Sequence, residues 1–300
     1  MTTTKQKTFK RLVTMLAAAL ALFAFTEQSA QAQQILLTGP LAGAPAVRKL
    51  RLHRQGRFEF APAVTFTLLD QYQRTILLGA RLNYNFTDWL AFGAWGALGS
   101  VIRLPTYLTD QVQQVNEQRQ TVAAAAAAAG KPVPLETRLT QTNLGPDFKK
   151  QLAGIDWVIA PQLTAVPFRG KLALFQSIYL DTDLYFFGGP AIIGITERKN
   201  CAGTADDPCI GNYATASRVA VAPTFGLGLT FYINKWSALG FEYRLMPYSW
   251  NAGGFDTAGG GKDGAFPDNK ITNADRQFNF QQLLTVSYNI YLPFEYRVSE

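Results

Sequence analysis

Residues 75–99, TILLGARLNYNFTDWLAFGAWGALG, decide the fold of this chain. From Thr75 to Phe86 the side chains alternate between an apolar set and a polar or small set, which indicates a strand with one apolar face. The apolar set is Ile76, Leu78, Ala80, Leu82, Tyr84 and Phe86, and the opposite set is Gly79, Arg81, Asn83 and Asn85. The strand is about eleven residues long, enough for a tilted strand to cross the hydrocarbon of a membrane.

A second strand follows at once, because Thr87 and Asp88 form a turn that leads into Trp89–Gly99. Such a hairpin indicates a pair of strands in a membrane. Lipid offers no hydrogen-bonding partner, so the backbone groups of a membrane strand must bond within the protein, which for strands requires a closed barrel. We therefore expect the rest of the chain to supply the other strands of a barrel.

The first 32 residues are expected to be an export signal. Four basic residues within Lys5–Arg11 precede an apolar run of 14 residues, Leu12–Phe25, which is too short for a spanning helix. The small residues of Ala30–Ala32 suit a cleavage site, so the mature chain should begin at Gln33. Cleavage removes four basic residues and Glu27, which lowers the formal net charge from +7 to +4. A single uncleaved anchor helix is the alternative.

Six further alternating segments bring the predicted strand count to eight. They are Phe58–Leu69, Ile155–Ala165, Ile178–Phe186, Val219–Phe231, Leu239–Leu245 and Phe278–Leu292. In the fourth strand, Ile155, Trp157 and Ile159 should face lipid. An even number of strands is typical of bacterial outer-membrane barrels.

Short and long connections alternate along the chain, so all the long ones fall on one side, as they do in outer-membrane barrels. The short turns, expected in the periplasm, are Asn85–Trp89, Phe168–Lys171 and Ile233–Ser237. The outer loops should cover about residues 100–153, 196–217 and 251–276. The prediction is an all-β fold, an eight-stranded antiparallel transmembrane β-barrel over residues 57–294, with both termini and the tail 295–300 in the periplasm.

Tryptophans fall near the predicted membrane boundaries. Trp89 and Trp236 should lie at the inner rim, and Trp157 and Trp250 near the outer rim, as in the aromatic girdles of membrane barrels.

The first long loop contains a predicted surface helix, Thr109–Ala129. Asp110 lies near its start, and Gly130 follows its end, which are common helix boundary signals. Its last seven residues are alanines, which have high helix propensity and little side chain to bury. A disordered insertion is the alternative.

Residues 33–56 form a basic lead-in to the barrel, expected on the periplasmic side. Together with Arg57 they place five cations within ten residues, namely Arg48, Lys49, Arg51, Arg54 and Arg57. Two interpretations stay open. The lead-in is either solvated near anionic lipid head groups or a docking site for a periplasmic partner.

Two cysteines, Cys201 and Cys209, lie in one polar loop. In an exported chain such a pair indicates a disulfide that closes the loop, and two free thiols are the alternative.

Six charged residues fall on the inward side of the predicted strands. They are Glu59, Arg81, Asp181, Asp183, Glu242 and Arg244, and Gln162 and Tyr179 share their facing. An eight-stranded barrel is only wide enough for its own side chains, and an isolated buried charge is costly. We therefore expect a paired lumen charge network in a closed barrel. A narrow selective channel for small solutes or ions is the alternative.

The composition argues against an enzyme. Hydrolytic sites commonly use a histidine, and the one histidine, His53, precedes the first strand. The segment Gly259–Lys262 resembles a phosphate loop only superficially, since Asp263 stands where Ser or Thr should hold magnesium. We expect no catalytic, cofactor-binding or metal-binding residues.

The chain resembles the outer-membrane β-barrel domain family of myxobacteria and related delta-proteobacteria. The likeness lies in residues 48–62, ending GRFEFAP, and in FTDWLA (86–91), GKLALF (170–175), DLY (183–185) and the stretch from Ala222 to NKWSAL (234–239). It covers most of residues 47–294. The resemblance implies an eight-stranded outer-membrane barrel with no catalytic residues, and some similar barrels belong to envelope machines such as gliding motility. The expected partners are outer-membrane lipid, the outer-membrane assembly machinery and an envelope protein, with no nucleic acid.

Overall fold

The computed structural model describes residues 54–132, 144, 147–174, 178–199, 215–234, 236–257 and 271–294, with side chains except at 171–174 and 178–180. The export signal, residues 33–53 of the lead-in, both cysteines and the tail 295–300 lie outside the described residues.

Eight antiparallel strands pair in chain order, and β1 also pairs with β8, so the sheet closes into a barrel. The predicted fold class is confirmed. The strands are β1 (Phe58–Leu68), β2 (Gln73–Asn85), β3 (Leu90–Pro105), β4 (Gly154–Leu174), β5 (Ile178–Arg198), β6 (Thr215–Tyr232), β7 (Ser237–Trp250) and β8 (Gln277–Leu292). Short 3₁₀ helices cover Phe148–Gln151 and Asn273–Asp275.

Burial alternates along the strands with a period of two. In β2, Leu78 and Leu82 are exposed on the outside, whereas Arg81 and Asn83 are buried inside. Apolar side chains cover the outside on other strands too, among them Phe60, Val64, Phe92, Ile159, Leu163, Phe225, Leu227, Phe241 and Leu284. Water-soluble monomers rarely expose so continuous an apolar surface, and the surface suits a hydrocarbon environment.

The predicted turn at Phe168–Lys171 is wrong, because β4 continues through it to Leu174. The register places Arg169 opposite Asp183 and Lys171 opposite Asp181. Arg169 Nε lies 4.0 Å from Asp183 across the strand pair, and such opposite charges favour continued pairing over a turn.

Two predicted facings also differ from the structure. Ile155 points inward and is buried, because a β-bulge between Ile155 and Trp157 interrupts the alternation of β4. Trp250 lies in the barrel core rather than in an outer girdle. It follows Met246 and Tyr248 on the inward side of β7, so the alternation of that strand continues to its end.

The predicted helix is present as α1, Tyr107–Ala128, in the β3–β4 connection. Its start is fixed to the β1–β2 turn, since the backbone N–H of Thr106 and the hydroxyl of Thr109 both donate to the carbonyl of Tyr72, at 2.9 and 2.5 Å. Lys149 pairs with Asp110 at 2.8 Å. Among the described residues, no helix is long and apolar enough to cross a membrane.

Adjacent leucines on β2 provide a test of facing. Leu78 is 43% exposed on the outside, whereas Leu77 is fully buried in the core. Leu78→Arg should cost about 2–4 kcal/mol of unfolding free energy in lipid vesicles, because it places a cation in hydrocarbon. Leu77→Ala should cost about 2–5 kcal/mol, because it leaves a cavity. Denaturant titrations followed by tryptophan fluorescence would measure both.

The matched control is Leu69→Arg, since Leu69 is exposed in the β1–β2 turn beyond the strand. It should change the unfolding free energy little. A Leu78→Arg barrel as stable as the wild type would show that this face meets water.

Candidate functional site

The barrel has two different ends. The turn end carries the tight turns at residues 86–89 and 233–236, and the loop end carries α1 and the long connections. Between them the lumen is filled by three layers of side chains: a polar layer at the turn end, a charged layer in the middle and an apolar layer toward the loop end.

Arg81 is the centre of the middle layer. Its guanidinium bonds Glu59 Oε1 at 2.5 Å and the hydroxyl of Tyr185 at 3.0 Å, and it also pairs with Glu242. Tyr185 in turn donates to Glu242 at 2.8 Å. All four side chains are buried, so these contacts replace the water that the charges lose.

Arg244 lies beside this group and is fully buried. It donates to Gln162 Oε1 at 2.8 Å and to Thr224 at 3.2 Å, and its Nη2 lies 3.6 Å from Glu242. Its guanidinium carbon also lies 4.4 Å from the ring centroid of Trp95 and 4.2 Å from that of Phe187. Aromatic faces attract a cation, so the two rings help to hold Arg244 in a dry site.

The turn end is closed by a residue that precedes the barrel. Arg54 reaches into the lumen and pairs with Asp183 at 3.0 Å, while Tyr232 donates to the same carboxylate at 2.6 Å. The backbone N–H of Arg54 donates to Asp88 at 2.8 Å. Gly56, at φ +75°, allows the tight turn that holds this segment under the barrel.

Arg57 closes the same end of the barrel beside Arg54. Its guanidinium donates to the carbonyls of Tyr291 and Pro293, both at 3.1 Å, and lies over the Tyr291 ring. Arg54 and Arg57 are therefore buried, and for these two cations the expectation of a solvated or partner-docking lead-in is wrong. The reason is that the barrel mouth supplies the acceptors that water would otherwise provide.

The structure places five of the six predicted lumen charges in these two layers. Glu59, Arg81, Glu242 and Arg244 meet in the middle, and Asp183 lies at the turn end with Arg54. Asp181 has the same inward register as Asp183 but is half-exposed and lies outside these pairs.

Three residues of the lumen layers were not predicted from the sequence. Trp95 is the register partner of Arg81. Extending the period of two along β3 would have placed the Trp95 side chain inside the barrel. Tyr185 lies two residues after Asp183 on β5, so the alternation turns it inward, but nothing in the sequence shows that it bridges two charges. Arg54 carries no periodic signal, and only the Gln55-Gly56 pair hints at the turn that returns it to the barrel.

The apolar layer follows the charges toward the loop end. Leu77 comes after Arg81 in that direction along β2, and Met246, Tyr248 and Trp250 follow Arg244 along β7. Residues from the connections cover this layer. Gln151 donates to the carbonyl of Gly253 at 2.9 Å, and the backbone N–H of Ala153 donates to Ala252 at 3.0 Å.

A pocket of about 310 Å³ remains at the loop end, between the β1–β2 turn and the start of β8. Asp70 lines it and accepts a hydrogen bond from Gln281 at 2.8 Å. Burial raises the pKa of the Asp70 carboxyl above its usual value, although Thr67, Gln281 and Arg74 oppose this shift.

Among the described residues, no group of three or more His, Cys, Asp or Glu side chains could hold a metal ion. His53 lies outside the described part of the chain. The buried charges of the middle layer are bonded to one another, so the chemistry that this arrangement supports is mutual neutralisation.

No family model matches the chain, and no curated protein matches it. Similar solved structures include the N-terminal β-barrel domain of OprF from Pseudomonas aeruginosa, with 8% identity and a TM-score of 0.39 over 79% of this chain and 98% of that chain. Another is the outer membrane protein OprG from Pseudomonas aeruginosa, with 10% identity and a TM-score of 0.36 over 80% and 97%. Neisserial surface protein A shares 8% identity, with a TM-score of 0.33 over 79% and 96%. Likenesses this distant say nothing about function, and the chain's own strand pairing establishes the closed barrel.

Removing Arg81 tests the middle layer. Arg81→Met keeps the volume but leaves Glu59 buried without its cation, which should cost about 3–5 kcal/mol of unfolding free energy. Adding Glu59→Gln and Glu242→Gln should recover part of that loss. Guanidinium unfolding in detergent micelles would measure the series.

The control is Arg103→Met, which removes the cation from a half-exposed pair with Asp156. That change should cost at most about 1 kcal/mol, because water can replace the partner. Equal losses for Arg81→Met and Arg103→Met would contradict a dry, paired middle layer.

Asp70→Asn tests the buried carboxyl. Because the folded-state pKa is raised, the stabilising contribution of Asp70 is fully present below the unfolded pKa of about 4 and is lost as pH rises through the folded pKa. Asp70→Asn cannot ionise, so at pH 7 it should be more stable than the wild type, and this advantage should disappear toward about pH 3. Urea midpoints at both pH values would measure it.

Asp110→Asn on α1 is the control, since Asp110 is exposed and pairs with Lys149. It should give no gain at pH 7. A wild type more stable than Asp70→Asn at pH 7 would contradict a costly carboxylate in the pocket.

Proposed function

We propose that the protein is a closed barrel of the bacterial outer membrane that anchors its loop end at the cell surface, where an envelope partner binds it. The observation that carries the proposal is the filled lumen. Side chains occupy it at three levels, and the middle level consists of buried charges that bond one another. A conducting pore needs water along its length, whereas the buried charges at the middle of this lumen are paired with protein groups.

The location is supported by the outside of the barrel. Its apolar side chains would be costly in water, and closed antiparallel barrels are the form in which strands cross an outer membrane. The predicted export signal agrees with this location. In this proposal the turn end and both termini face the periplasm, because long loops of such barrels face outward.

The displayed surface is built on α1 and the segments that pack beneath it. The backbone N–H of Phe148 donates a hydrogen bond to Gln113 Oε1 on the helix, at 2.7 Å, and the Phe148 ring stacks on Phe255 at 5.3 Å. The outer side of α1 keeps Val115 and Val122 exposed. A helix fixed at its base and exposed along its length is suited to contact with another envelope protein. The resemblance to myxobacterial barrels supports an assembly of the gliding-motility kind.

Planar-bilayer recording tests the closed state. Wild-type protein should give no discrete conductance steps, while a porin added to the same bilayer serves as the positive control. Arg81→Met should stay silent as well, because Trp95, Arg244 and the apolar layer still fill the lumen. Regular single-channel steps from the wild type would favour the narrow channel instead.

A further inference from the structure

The loop-end pocket lies in a notch of the barrel wall. β1 ends at Leu68, which pairs with Gln282, whereas β8 begins earlier, at Gln277. Among the described strands, residues 277–281 of β8 therefore pair only with β7. The pocket, of about 310 Å³, lies at this notch.

The pocket combines two kinds of side chain. Amide residues line it at Gln71, Gln73, Gln277 and Asn279, and aromatic residues line it at Tyr72, Trp250 and Phe255. Phe278 also belongs to the lining, but its ring lies on the outer face of β8 beside Phe280. Among the lining residues that the structure describes, none is Lys, Arg or His, and Asp70 is the one carboxyl group. It is therefore a neutral to weakly acidic recess with many hydrogen-bonding groups and apolar faces.

The amides are available to a ligand. The side chains of Gln71, Gln73, Gln277 and Asn279 form no hydrogen bond with any other residue that the structure describes. Asn251 differs, because it bonds both backbone groups of Phe255, at 2.7 and 3.2 Å, and so shapes the pocket. Each unused amide offers two donors and an acceptor.

This chemistry excludes several ligand classes. Phosphates and carboxylates need a cation, and the described part of the lining has none. A hard metal ion needs several oxygen ligands of high charge, and one carboxyl cannot supply them. A purely apolar ligand would leave the amides unsatisfied.

A sugar ring meets the remaining requirements, because its hydroxyls pair with amides and its C–H faces lie against aromatic rings. We propose that this pocket binds a neutral saccharide. Its volume is at the lower end of the range of about 300–1,000 Å³ for ligand pockets, which suits one or two sugar units. The saccharide is either a free oligosaccharide or the glycan of a lipid, and the chemistry of recognition is the same for both.

Saturation-transfer NMR on the full-length protein tests the proposal. The protein is held in a zwitterionic detergent, because glycoside detergents would compete for the pocket. The probes are methyl glycosides of neutral hexoses and N-acetylhexosamines, with the methyl glycoside of a uronic acid as the charged comparison. At least one neutral glycoside should receive saturation, and the uronic acid should not.

Variants locate the site. Gln277→Ala combined with Asn279→Ala should weaken binding about tenfold, the effect expected from losing two net hydrogen bonds. The control, Gln118→Ala, changes an exposed amide on α1 and should bind as the wild type does.

Three results would overturn the proposal: no neutral glycoside binds, the uronic acid binds equally well, or the Gln277→Ala and Asn279→Ala combination binds like the wild type. Competition by a neutral glycolipid in nanodiscs would support a lipid-linked source, and its absence a free one. The proposal does not depend on a closed lumen, so conductance of the wild type would leave it standing.

Discussion

The pairing of β1 with β8 is the constraint on which the rest of this structure depends. It satisfies the backbone groups of both strands and removes the sheet edges, which a membrane requires. Closing at eight strands also fixes a narrow lumen that side chains must fill. Because polar residues alternate inward, some of them become buried in that lumen, and each buried charge then needs a partner within reach.

Arg81 shows how the narrow lumen meets this requirement. Its partners Glu59, Tyr185 and Glu242 come from three other strands. Arg244 lies beside this group, between two aromatic rings. The strand register fixes each of these groups on a different strand. The bonds between them therefore connect strands that are distant in the sequence. The pocket lies at the loop end, where β1 is shorter than β8.

The strands and most of their facings could be predicted from the sequence, because a period of two links position directly to face. The errors have physical causes. A bulge at Ile155 reversed the local alternation, and β4 continues through the predicted turn, where Arg169 faces Asp183. Trp250 was placed by its residue type, whereas the alternation of β7 determines its facing.

The sequence by itself determined the alternation, the number of strands, the helix in the long connection and the inward facing of most of the strand charges. Tertiary structure alone decided which of those charges meet, since contacts across the lumen depend on the stagger of all eight strands. It also decided that Arg54 closes the turn end, because a residue outside the strands has no periodicity to reveal its position. The loop-end pocket likewise depends on the unequal lengths of β1 and β8, which become neighbours only when the barrel closes.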